Sequence, residues 1–156
     1  MHNNFEGYKN QLKIKTMARV NPYLNFNDNC REAMNFYKDC LGGELTLQTV
    51  GESPMAAQMP AHMKDAILHA SLTIGDTMIM GSDMRRKQLT DGDTVSLCIN
   101  CTGDEEMRSF FTNLSAGGTI REPISEMPGG AKIGALTDKY GKLWMFYYDK
   151  NAATNN

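Results

Sequence analysis

Histidine is scarce in this chain: His2, His62 and His69 are the only three among 156 residues. That matters for function, because histidine is the commonest metal ligand and the side chain that ordinarily titrates nearest neutrality. Long apolar runs are also missing. No stretch approaches the roughly 20 residues that span a bilayer. No apolar run of roughly 7–15 residues follows Lys9, Lys13, Lys15 and Arg19, so no signal peptide is expected there. Net charge is -2, which gives no broad basic field for nucleic acid. No phosphate-binding G-x-x-x-x-G-K-[ST] loop, G-x-G-x-x-G turn after a strand or G-x-S-x-G elbow occurs. Cysteine is limited to Cys30, Cys40, Cys98 and Cys101. Without an export signal these read as reduced packing thiols in a cytoplasmic protein. The Cys98–Cys101 pair has C-x-x-C spacing but lies in a strand-like run, where an offset of three turns the two thiols to opposite faces. No second such pair completes a zinc site.

What the chain does contain is a repeat. "NCRE" (29–32) and "TGDE" (102–105) both read as capping boxes, Asn29 with Glu32 and Thr102 with Glu105. Each opens an amphipathic stripe at helical spacing: Cys30, Ala33, Met34, Tyr37, and Met107, Phe110, Phe111, Leu114. Each stripe ends near a glycine pair, Gly42-Gly43 and Gly117-Gly118. Short strands precede the helices at 20–26 and 94–100. Strands follow at 44–49 and in a hairpin over 67–83, then at 118–124, 131–137 and 143–149. The order is β-α-β-β-β twice, offset by roughly 75 residues. Residues 1–18 are expected to be a poorly ordered extension, 19–150 one domain with modules at about 19–82 and 94–150, and 151–156 a tail. The polar stretch 83–93 is the natural linker.

Alternation assigns faces to the strands. The turn at Gly75-Asp76 pairs Ile74 with Thr77 and Leu72 with Ile79, and sets His69 opposite Ser82. Leu68, Ala70, Leu72, Ile74 and Ile79 then share an apolar face for helix packing. Ile67, His69, Ser71, Thr73, Met78, Met80 and Ser82 share a mixed face, as a ligand pocket would need. In the first strand Pro22, Leu24 and Phe26 oppose Asn21, Tyr23 and Asn25; in the fifth, Val95, Leu97 and Ile99 oppose Thr94, Ser96, Cys98 and Asn100.

The segments "PYLNF" (22–26), "AMNFYKDCLGGEL" (33–45), "MKDAILHASLTIGDTMIMGSD" (63–83) and "LTDKYGKLWMF" (136–146) together resemble the glyoxalase/bleomycin-resistance (vicinal oxygen chelate) superfamily, in its PhnB-like branch. The resemblance implies an α+β fold: two βαβββ modules forming a curved eight-stranded mixed sheet around a cavity, with the helices outside. It implies a homodimer as well. In the superfamily's metalloenzymes His and Glu or Gln from four strands hold a divalent metal. Here the matching positions are Asn21, Met80 or Ser82, Thr94, and Phe146 or Met145. None is His, Asp or Glu, so no metal or other cofactor is expected.

A small-molecule-binding protein of unknown ligand is therefore expected, with neither nucleic acid nor membrane as partner. Tyr23, Trp144 and Phe146 would stack on the ligand, and Asn21, His69, Met80, Ser82 and Thr94 would complete the contacts. The alternative is a lyase, isomerase or transferase of the same superfamily, with His69 as acid/base or with an unrecognised divalent metal. The bland reading of His69 is a ring hydrogen-bonded to a neighbour. The Met-rich loop over 50–66 reads as a cavity lid or as a dimer contact.

Overall fold

The computed structural model describes residues 18–85 and 87–152. The expected extension and tail lie almost wholly outside them. Elements follow in the order β1 (Tyr23–Asn25), α1 (Cys30–Leu41), β2 (Glu44–Thr49), β3 (Ile67–Ile74), β4 (Thr77–Ser82), β5 (Leu97–Asn100), α2 (Asp104–Ser115), β6 (Thr119–Glu126), β7 (Lys132–Thr137) and β8 (Leu143–Tyr148). Two short 310 turns, at Ala56–Gln58 and Ala61–Met63, break the long loop between β2 and β3. No helix among the described residues is long and apolar enough to cross a membrane.

The repeat is present strand for strand. Each module is a four-stranded mixed sheet, in the order β1-β4-β3-β2 and β5-β8-β7-β6. In each, the first strand runs parallel to the last and the other neighbours are antiparallel. Registers superpose the two: Tyr23 pairs with Met80, Cys98 with Met145. The second glycine after each helix is also equivalent. A Cβ at Gly43 would collide with the Thr73 carbonyl oxygen, and one at Gly118 with that of Thr137, so only glycine lets helix and hairpin approach this closely.

The helices cover one face of each sheet and touch each other. One core holds Cys30, Met34 and Tyr37 of α1, Ile67 and Leu72 of β3, Met107, Phe111 and Leu114 of α2, and Leu136, Trp144 and Phe146 of the second sheet. Fully burying one such side chain stabilises the fold by about 1.5–3 kcal/mol. Among the described residues no helix covers the other face of either sheet.

Two buried carboxylates fix this arrangement. Asp138, at the end of β7, accepts from the Tyr37 hydroxyl (2.6 Å), Trp144 Nε1 (2.8 Å) and the Tyr140 and Lys142 N–H groups (2.8 and 2.9 Å). It thereby ties α1 of the first module to the β7–β8 turn of the second. Burial first, and the Asp138 charge second, push the Tyr37 hydroxyl far above the ordinary tyrosine pKa. Asp83, after β4, accepts from the N–H groups of Cys30 (3.0 Å) and Ile67 (2.9 Å).

Asp83 also corrects the expected capping of α1. Asn29 makes no side-chain cap; instead a carboxylate from a distant strand end takes the first helical N–H. In α2 the box is shifted by one residue. Thr102 donates through its N–H and hydroxyl to Glu106, not Glu105 (2.7 and 3.0 Å).

Removing the Tyr37 hydroxyl isolates one strand of this network. Tyr37→Phe is expected to cost about 1.5–3 kcal/mol, the usual worth of a hydrogen bond to a charged group. It should appear as a lower urea midpoint with an unchanged slope. An unshifted midpoint would show that Asp138 does not hold α1.

Candidate functional site

The β3–β4 turn has the expected register, Ile74 with Thr77 and Leu72 with Ile79, and the pairing continues to Ala70 with Gly81. Beyond that the expected alternation fails. The register of β2 against β3 shifts between Gln48↔His69 and Thr49↔Ile67, leaving Leu68 as an extra residue. The Thr49 N–H is drawn out of the ladder to Glu52 Oε2 (2.9 Å), which also accepts from the Thr49 hydroxyl. These bonds hold the Glu52 carboxyl below its ordinary range. Ile67, expected on the mixed face, is therefore in the core, and Leu68 is only half-buried.

His69 stays on the face without a helix. Its row is completed by Gln48. The next row is Tyr23, Met80, Ser71 and Thr46, joined by the pairings of β1, β4, β3 and β2. Tyr23 bridges the rows: its hydroxyl lies 3.5 Å from His69 Nδ1, with the ring centroids 5.9 Å apart. Tyr23, His69 and Met80 of the expected site are thus brought together. Tyr23 is 43% exposed.

The other expected contacts are elsewhere. Asn21 is half-buried just before β1, and Thr94 is exposed before β5 begins. Ser82 is buried; its hydroxyl accepts the Met84 N–H (3.2 Å) and its carbonyl accepts the Phe26 N–H (3.0 Å). Trp144 and Phe146 are a correction. Both are in the core, Trp144 against Tyr37 and Asp138, Phe146 against Phe111, so neither reaches an open face. Their neighbours Met145 and Tyr147 are the β8 residues that do, at 40% and 38% exposed. Alternation could have found them only if the β8 parity had been known, and "LWMFYY" is apolar on both parities.

The second open face pairs Cys98 with Met145 and Ala135, and Asn100 with Tyr147 and Ile133. Met145 matches Met80, and Asn100 matches Asn25. His69 has no titratable counterpart; the equivalent position is Ile133.

Two clefts are also present, the second bordered by the open-face residues Tyr23 and Asn25. One, of about 880 Å³, borders the start of α1 and mixes Asp28, Glu32 and Asp65 with Arg31, Arg85 and His62. The other, of about 240 Å³, separates β1 from the linker and the β7–β8 turn. Among the described residues no three His, Cys, Asp or Glu side chains are placed to hold a metal ion. The positions that the resemblance matched to a metal site are filled by Asn21, Met80 or Ser82, Thr94 and Phe146 or Met145; none supplies a carboxylate or an imidazole, and Phe146 is in the core.

Two βαβββ modules, each with a helix-backed sheet, define the glyoxalase/bleomycin-resistance fold. A glyoxalase/bleomycin resistance protein/dioxygenase family enzyme from Burkholderia phytofirmans PsJN shares it, with a TM-score of 0.57 at 14% identity over 83% of this chain and 98% of that one. Within that fold the profile of the family described as 3-demethylubiquinone-9 3-methyltransferase matches residues 18–147, and the chain belongs to this PhnB-like family. It is 33% identical over 144 residues to protein YjdN of Escherichia coli (strain K12), covering 86% of this chain and 98% of that one. The crystal structure of protein PA1353 from Pseudomonas aeruginosa is similar at a TM-score of 0.76 and 33% identity, over 85% of this chain and 98% of that one.

The thiols separate by environment. Burial first, then the Asp83 charge, pushes Cys30 up to about 12; burial pushes Cys40 and Cys101 up to about 11. Cys98 is exposed on the open face. Since the thiolate is the reactive form, dilute native protein at pH 8 should release colour from a disulfide reagent such as Ellman's at Cys98 alone. The other three should follow only in denaturant. Rapid reaction of a second thiol would contradict the buried placements.

Proposed function

We propose that this protein binds a small molecule against the open face of its first sheet, and that a second copy of the chain covers the site. The carrying observation is the Tyr23–His69 pair, an aromatic and an imidazole beside Met80 and Ser71 on a face that no helix packs against. Polar groups on such a surface suit a ligand, which must meet both their hydrogen-bonding capacity and the apolar rows between them. The second sheet presents a matching uncovered face with Met145, Tyr147 and Ile133. Two such faces, one from each copy, enclose a space that a single chain leaves open.

A second reading rests on the same pair. A tyrosine hydroxyl at His69 Nδ1 orients the ring and leaves Nε2 available for proton transfer, as a general base requires. The family's description names a methyltransferase, and we assign no described residue of the Tyr23–His69 face to a methyl donor. We propose no methyl transfer.

A thermal-shift screen of a metabolite library tests the site, because a ligand bound to the native state raises apparent stability. Hits should lose most of their shift in Tyr23→Ala and His69→Ala. A sequestering protein keeps weakened binding in His69→Ala, whereas general-base turnover is abolished. Hits that act equally on both variants would place the ligand elsewhere. The second copy is tested separately by analytical ultracentrifugation. Tyr147→Arg, which sets a charge on the uncovered face, is expected to shift a dimer to monomer while the far-ultraviolet circular dichroism stays unchanged. A chain that sediments as a monomer at high concentration would overturn the covered site.

A further inference from the structure

The ligand class can be read from what the two open faces carry. On the first sheet the uncovered positions are Tyr23 and Asn25, Thr46 and Gln48, His69, Ser71 and Thr73, and Met78 and Met80, with Glu44 at the far end. On the second, Cys98, Asn100, Met145 and Tyr147 are joined by Ile133, Ala135, Thr137 and Glu122. Among the described residues no lysine or arginine occupies an open-face ladder position, although the chain has 16 of them. Five of the described cations are engaged elsewhere, and Arg121 lies without a ladder partner at the β6 register shift. Arg85 pairs with Asp28, Arg108 and Lys132 with Asp104, Lys142 with Asp91, and Lys139 lies over Phe36 and Tyr140.

Resting on the small-molecule reading above, we propose that the ligand is uncharged. It has a flat, polarisable body that lies against the methionine and tyrosine side chains, and a hydroxyl or carbonyl edge that meets His69 and Gln48. A phosphate, phosphonate or carboxylate would lose its hydration on such a surface and gain no cation in return, which buried anions require. Among the described residues the carboxylates at open-face ladder positions are Glu44 and Glu122, and both repel anions. The matched Met80 and Met145 supply adaptable apolar contact on either side of a ring. The Tyr23–His69 pair supplies both a donor and an acceptor whichever ring nitrogen carries the proton.

Proton NMR of the histidine rings in the full chain at pH 8 tests this with probe pairs that differ mainly in charge. The pairs are phenol and phenyl phosphate, benzamide and benzoate, and indole-3-ethanol and indole-3-acetate. His69 is identified by its loss in His69→Ala. His62, in the polar cleft beside α1, serves as the internal reference. The neutral members are expected to shift His69 saturably and leave His62 in place, with the anions at least about tenfold weaker. Thr46→Arg adds a cation beside Ser71 and should bring the anions level with their neutral partners. Anions that shift His69 of the wild-type protein as strongly as the neutral probes overturn the ligand class but leave the site standing. If no probe of either kind moves His69, the site itself is wrong, and the ligand class falls with it.

Discussion

One buried carboxylate, Asp138, holds the two halves of this molecule together. Four donors converge on it, from α1 of the first module and from the β7–β8 turn and β8 of the second. The fold pairs each sheet with one helix, and neither helix alone closes the core. Tyr37 reaches across to Asp138 and packs edge-on against Trp144 (5.4 Å between centroids), so the two helix-covered faces meet in a single apolar interior. A buried charge is tolerated only where its lone pairs are met, and Asp138 is satisfied by two N–H groups of one turn and two side chains at once.

That constraint decides which faces remain for function. With the helices inside one shared core, each sheet has its second side uncovered. The side chains there are uncharged for the most part, and they include the one described histidine that lies in a strand. Trp144 and Phe146 belong to the shared core for the same reason: Asp138 captures the indole N–H, and the β8 parity follows. Met145 and Tyr147 are then left outside.

Much of this was legible from local pattern. The duplicated βαβββ order, the helix stripes and the turn register at Gly75-Asp76 all arise from interactions between residues close in sequence, and all are present. His69 and Tyr23 were placed on the right face by alternation from nearby anchors. What local pattern misses is set by distant partners. Asp83 caps α1 from 53 residues away. Glu52 diverts the Thr49 N–H and bulges the sheet, which reverses Ile67 and Leu68. β8 is apolar on both parities, so only its contact with Asp138 and Tyr37 fixes its sides. Thr94 failed as a strand position because β5 starts later, at Leu97.

In the proposed assembly the two open faces, one from each of two copies, enclose the ligand site beside Tyr23 and His69. A crystal structure of the protein tests it most directly. The expected result is a two-fold dimer whose open sheet faces meet, with Tyr23, His69 and Met80 on the wall of the enclosed cavity. A dimer joined through the helices or through the β2 and β6 edges, or a chain whose open faces both look into solvent, would contradict it.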